Sequence, residues 1–275
     1  MNKGYTARTF MLEIIGIALG LLFLIPFYFV LINSVKGFAE ILIDAAALPK
    51  EFLFSNYAKV WEIISFQDAF LNSLLITVFS IAGIVIISSM AAWKMVRTPG
   101  KLSKFLFIFF VSAMVIPFQT VMIPLMKLGG SLGIMNSIPG IVIMYFGFGV
   151  SLSLFLFHGF VKTIPAEIEE SARVDGCSQF GVFWRIVFPL LKPITVTVII
   201  LNTLWIWNDY LLPLLVLQDS ELRTIPLATS SFFAQYTKQW DMGLAALVLG
   251  ISPVIVFFLF LQKHIIKGIA AGSIK

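Results

Sequence analysis

Between two long apolar runs the chain reads, from Thr163 to Pro193, TIPAEIEESARVDGCSQFGVFWRIVFPLLKP. This polar interruption decides the fold class. Four basic residues attend it (Lys162 just before it, then Arg173, Arg185 and Lys192), a pattern that assigns it to the cytoplasmic side of a membrane protein. Its first half predicts a short helix: Pro165 stands near the start, Glu167, Glu169 and Glu170 load the positive end of the dipole, and Gly176 supplies a stop. The second half predicts another helix. Phe180, Phe183, Trp184 and Val187 recur at i, i+3, i+4 and i+7, a stripe suited to lying on the bilayer surface or on the protein's own helix ends. A kinked helix pair held at a membrane face is a shape for docking a partner.

The flanking sequence demands a membrane. Hydrophobic residues make up 59% of the 275 residues, charged residues only 12%, and mean hydropathy is +0.99; ordinary soluble domains carry about 25% charged residues. Apolar runs occur at about 11–35, 71–93, 105–126, 138–157, 194–217 and 244–261, each near the roughly 20 residues a bilayer core requires. The expectation is an all-α polytopic membrane protein, one transmembrane domain over 1–275, with six spans and a cytoplasmic helix pair at 163–193 between spans 4 and 5. The first run is too long for a signal-peptide core and is read as a retained helix. Thirteen of the nineteen Lys and Arg fall on the side of the N-terminus, the 94–104 loop, the 162–192 loop and the tail, so both termini are expected in the cytoplasm. The net charge of +5 then belongs to membrane topology, and nucleic acid is not an expected partner. The single Cys177 forms no intrachain disulfide and reads as a small filler.

Within the quoted stretch, Glu170-Ser171-Ala172, then Gly176 after three residues, Ile186 after nine more, and Pro189 resemble the EAA loop of ABC importer permeases. Ile164-Pro165, Ala172-Arg173-Val174-Asp175-Gly176 and Pro189-Leu190-Leu191-Lys192-Pro193 are similar to the carbohydrate branch, on the side of the second permease of maltose-type systems. Trp207-Asn208-Asp209-Tyr210 and the tail Lys267–Lys275 extend the likeness more weakly. Ser171 stands where Ala is usual, Cys177 where Ala is common, and Phe188 where Leu precedes the proline; all are small or apolar exchanges. The resemblance implies a bacterial cytoplasmic-membrane permease subunit for a sugar or oligosaccharide. It implies a second, homologous permease, two cytoplasmic ATPase subunits that hold the ATP and Mg, and an extracytoplasmic solute-binding protein, with no cofactor on this chain. It further implies that Glu167, Glu169, Glu170, Ser171, Ala172, Asp175, Gly176 and Phe180 dock the ATPase, and that Gly268, Gly272 and Ser273 in the tail touch it.

Residues that a bilayer should reject mark the interior. A carboxylate at mid-bilayer costs about 2.5 to 3.5 kcal/mol on insertion scales, less near the interface, so Asp209 needs a partner or water. Gln119, Asn202, Trp205, Asn208 and Asp209 are the candidate walls of a substrate pathway. For Asp209 a helix-end hydrogen bond to a neighbouring span is the favoured alternative, and for Trp205 an interfacial aromatic belt serves as well. Pro117, Gln119 and Pro124 interrupt the third run, and Gly250, Ser252 and Pro253 the sixth, suiting either a moving element or ordinary packing. His158 and His264 lie far apart without Cys or carboxylate spacing around them, so no metal site is expected. The external segment 36–69 predicts a short surface helix near 56–64, either a lid for a binding protein or a packed connector. No Walker-type GxxxxGK[ST] occurs, so the chain is not expected to be an ATPase, and the uphill transport that the resemblance implies would draw its energy from another polypeptide. An ion-coupled carrier and a membrane scaffold are the alternatives. The first lacks a second deep charge and visible internal symmetry; the second has no use for broken, polar spans.

Overall fold

The structure, a computed structural model, describes residues 7–233 and 239–273, with side chains over 8–233 and 239–259. Every regular element among them is helical. Internal contacts divide the chain into two units, Met1–Phe66 with Thr229–Pro253, and Gln67–Ala228 with Val254–Lys275.

The first unit opens on α1 (Ala7–Asn33), a span with no part of its apolar window covered by protein. Two short helices follow, α2 (Phe38–Ile43) and α3 (Ser55–Ile63). Asn56 is buried and donates to Ser34 O at 3.1 Å and Lys36 O at 2.9 Å, closing carbonyls of the turn that follows α1. The expected surface helix is thus present and packed on one side: Val60 sits against Phe232, Ala245 and Ala246.

The second unit takes α4 (Phe66–Arg97) from its second residue and continues through α5 (Lys101–Ala113), α6 (Phe118–Ser131) and α7 (Ile138–Val161). Next come α8 (Ala166–Val174), α9 (Gln179–Val182), a π turn (Phe183–Val187) and α10 (Phe188–Leu190). It closes with α11 (Lys192–Asn208), α12 (Leu211–Val216) and α13 (Ile225–Thr229). The final helix, α14 (Trp240–Ser273), contributes to both units. α7 is the most buried span. Lipid tails are as apolar as leucine, so such spans are held by close fit rather than by exclusion of water. The fit is visible at Gly83, where an added Cβ would overlap the Phe146 ring, and at Gly149, where it would overlap Ile84.

Among the described residues four helices are long and apolar enough to cross a membrane, and counting each of two bent pairs as one span raises the number to six. Two of the expected apolar runs are broken within their length. The run at 105–126 is not one helix: α5 and α6 meet at 104°. Pro117 is extended (φ −62, ψ 140) and supplies no N–H, so the chain stops after Ala113 and restarts at Phe118. The run at 194–217 likewise ends at Asn208; Asp209 is extended (φ −71, ψ 132), and its Oδ1 accepts from Leu211 N at 3.0 Å, opening α12. The loop after α12 is pinned by amides. Asn136, at φ +52, donates to Asp219 Oδ2 at 2.6 Å and accepts from Gln218 N and Asp219 N, while Asn72 donates to the carbonyls of Glu221 and Arg223.

Candidate functional site

The polar interruption folds as two helices around one glycine. α8 begins after Pro165 with Glu167 and Glu169 in its first turn. It ends in a paired closure: Gly176, at φ +86, donates to Arg173 O, and Cys177 N reaches back to Ala172 O, both at 3.0 Å. Only a residue at ease with positive φ closes a helix this way. Ser178 then accepts from Gly181 N at 3.2 Å and starts α9. α10 bends by 75° into α11 around Leu191, which is fully buried.

The two faces of α8 differ. Glu169 is 1% exposed and turns inward with Ala172, three residues on. Its Oε2 accepts from Trp93 Nε1 at 2.9 Å, its Oε1 accepts from Arg97 Nε at 2.8 Å, and Arg173 stands 3.5 Å away. Arg97 also donates through Nη2 to Ile164 O at 2.7 Å, so the last turn of α4 grips both the end of the α7 segment and α8. Trp93 packs on Phe183 with ring centroids 5.3 Å apart. A buried carboxylate deprived of one such partner typically costs its protein about 3–5 kcal/mol.

The outer face is open. Glu167, Glu170, Ser171, Asp175 and Gly176 are exposed, and so are Phe180 and Trp184 of the expected aromatic stripe. The stripe is divided: Phe183 and Val187 enter the core, which fits lying on the protein's own helix ends, while Phe180 and Trp184 face outward. An open hollow of about 660 Å³ lies at the α8–α9 corner, lined by Asp175, Cys177, Phe180, Gly181, Trp184 and Arg185 among others. It offers an aromatic floor, a cation and a carboxylate to a protein surface. Of the residues expected to dock a partner, Glu169 and Ala172 therefore face inward and the other six face outward.

The candidate pathway residues are partly assembled. Tyr145, fully buried on α7, donates to Asp209 Oδ2 at 2.9 Å and meets the exposed Trp205 edge to face at 5.5 Å. The carboxylate is therefore satisfied by a neighbouring span and by the α12 start, the helix-end alternative. Asn202 is buried and donates to Ser153 Oγ at 3.1 Å and Val198 O at 2.8 Å; Asn208 is exposed and bonds Leu204 O of its own helix. Gln119 is exposed in the first turn of α6. Among the described residues no group of three His, Cys, Asp or Glu is arranged to hold a metal ion.

The side chains of Gly268, Gly272 and Ser273 lie outside the described residues, as does His264. The backbone of α14 is helical as far as Ser273. Sequence reasoning missed Trp93, Arg97 and Tyr145. Trp93 and Tyr145 lie in apolar runs, and Arg97 lies in the basic 94–104 loop, where it counted only toward topology; the Glu169–Ala172 spacing, which puts a carboxylate on the packed face of α8, was the one hint that a donor had to exist.

Residues 83–271 match the family described as "Binding-protein-dependent transport system inner membrane component". The chain is 44% identical over its full length to the full length of a probable starch degradation products transport system permease protein of Thermoanaerobacterium thermosulfurigenes. It is 36% identical over 252 residues, 91% of each chain, to the melibiose/raffinose/stachyose import permease protein of Bacillus subtilis. The fold is similar, at TM-score 0.80 and 22% identity, to a chain in the crystal structure of a bacterial ABC transporter involved in the import of the acidic polysaccharide alginate, covering 94% of this chain and 98% of that one.

Proposed function

Because this chain belongs to the family of inner-membrane components of binding-protein-dependent transport systems, we propose that it is the permease subunit of an ABC importer for a sugar or oligosaccharide. It works beside a second, similar permease, takes cargo from an extracytoplasmic binding protein, and is driven by two cytoplasmic ATPase subunits that hold ATP and Mg. The substrate class is supported by relatives named for starch degradation products and for melibiose, raffinose and stachyose.

The observation that carries the docking assignment is the two-faced α8. Its inner face is anchored through Glu169 to α4, so a push on the outer face is delivered to a spanning helix instead of being absorbed by a loose loop. Its outer face presents Glu167 and Glu170 beside the α8–α9 hollow, where a basic and apolar groove on an ATPase subunit would meet both charge and aromatic surface. ATP-driven approach of the two ATPases then moves α8 and α4 together and alternates access to the pathway near Asn202, Trp205 and Asp209.

Replacing Glu170 by Lys and Phe180 by Asp should leave the chain in the membrane with its permease partner, while co-purification of the ATPase falls at least tenfold, the measure of about 1.4 kcal/mol, and sugar uptake falls with it. Undiminished ATPase recovery from the double variant would overturn the docking assignment.

A further inference from the structure

The segment after α1 turns back on the helix it has just left. Three α1-end side chains cap four successive carbonyls of 44–47: Lys36 Nζ donates to Asp44 O at 3.1 Å and also to Ala47 O, Asn33 Nδ2 to Ala45 O at 2.9 Å, and Tyr28 Oη to Ala46 O at 2.7 Å. The two N–H groups of Ala46 and Ala47 are taken as well, by Asp44 Oδ1 at 2.8 and 3.0 Å. Lys36 is 0% exposed, its charge spent on two backbone oxygens rather than on water.

A water-washed loop needs none of this, since exposed carbonyls are satisfied by solvent. A stretch held where water is scarce needs all of it, because each unpaired backbone group there costs several kcal/mol. The depth follows from the partners. Tyr28 lies five residues before the end of α1, about 7.5 Å back along the helix at 1.5 Å per residue, so its bond draws Ala46 back toward the last turns of a membrane-spanning segment, while Asn33 and Lys36 hold Asp44, Ala45 and Ala47 at the helix end. The side chains they and their neighbours hold outward are apolar: Ile43 is 84% exposed and Leu48 69%, with Leu42, Phe52 and Phe54 exposed beside them. These continue the uncovered apolar surface of α1, while Glu40, Lys50 and Glu51 supply polar groups, Glu40 accepting from Lys50 N at 2.8 Å. Apolar faces at a membrane surface lie about 5–10 Å into the boundary between headgroups and acyl chains.

We propose that residues 38–54 form an interfacial anchor: the segment lies in the lipid headgroup zone at the C-terminal end of α1, its apolar side chains in the acyl boundary and its carbonyls sealed by Tyr28, Asn33 and Lys36. The occupant of this apolar face is the bilayer. The anchor fixes the height and tilt of α1 and holds α3, through Asn56, at the membrane surface.

The test is made on the whole importer in lipid nanodiscs, in a Cys177→Ala background, with a nitroxide on a cysteine at Ile43, Leu48 or Glu51. At positions 43 and 48, collisions with oxygen should exceed those with a water-soluble nickel chelate, and at position 51 the order should reverse. A photoactivatable phospholipid in the same discs should cross-link to residues 42–54 of the unmodified chain. Nickel collisions at 43 and 48 equal to those at 51 would overturn the proposal. Protection from both reagents would overturn it in favour of the second permease covering the face, and protection appearing only when the solute-binding protein is added would overturn it in favour of that protein.

Discussion

Glu169 shows how far a single side chain can depart from the role its neighbours suggest. It stands next to Glu170 and shares its chemistry, yet three donors of the same chain close around it while Glu170 meets solvent. The Glu169→Gln substitution keeps the shape and removes the charge, leaving Arg97, 17% exposed at its side chain, facing a neutral amide. A hydrogen bond to a charged group contributes about 1.5–3 kcal/mol, so the variant should lose stability by that order, whereas Glu170→Gln should stay within about 0.5 kcal/mol of the parent. Thermal unfolding of the two variants in the same lipid checks this; equal midpoints would mean that the clasp carries no stability. Position along α8 was legible in the residues, because dipole, proline and glycine all act locally. Which glutamate turns inward was not, since that is decided by Trp93 and Arg97, more than seventy positions earlier in the chain.

The helices follow the same division between local and distant causes. Apolar length alone marked out six runs, because a bilayer imposes a minimum that any spanning helix must meet. Their breaks were harder to read. Pro26, Pro124 and Pro253 sit inside continuous helices, while Pro117 stands at a break, just before α6; a transmembrane helix tolerates a proline wherever neighbours satisfy the freed carbonyl, so residue type does not choose between kink and break. Packing between helices hides likewise in small residues. On α7, Gly149 faces Ile84 and the Asn202 side chain, whereas Gly147, two residues away, faces open space. Gly149→Leu forces α4 and α11 off α7 and should destabilise the protein by about 1–3 kcal/mol or more, while Gly147→Leu should be nearly silent. Comparing detergent-solubilised midpoints of the two measures the fit directly, and a silent Gly149→Leu would show that the contact yields.

At the scale of the whole molecule the remaining question is direction, for a bundle of spans can be inserted either way and its internal contacts do not tell. Charge does. The Lys and Arg excess, thirteen against six, collects on the loops that join spans 2 to 3 and 4 to 5 and on the ends of the chain, and such an excess is retained on the cytoplasmic side during insertion. On this count we propose that the α8–α9 corner is inside and α3 outside. In a Cys177→Ala chain, a cysteine placed at the exposed Lys59 of α3 should react in intact cells with a membrane-impermeant maleimide, and one at the exposed Ser178 should react only after the membrane is permeabilised. With this orientation a sealed membrane should give one signal and an opened one two. Labelling of Ser178 before permeabilisation would turn the chain over, and with it remove the α8 surface from any reach of a cytoplasmic ATPase.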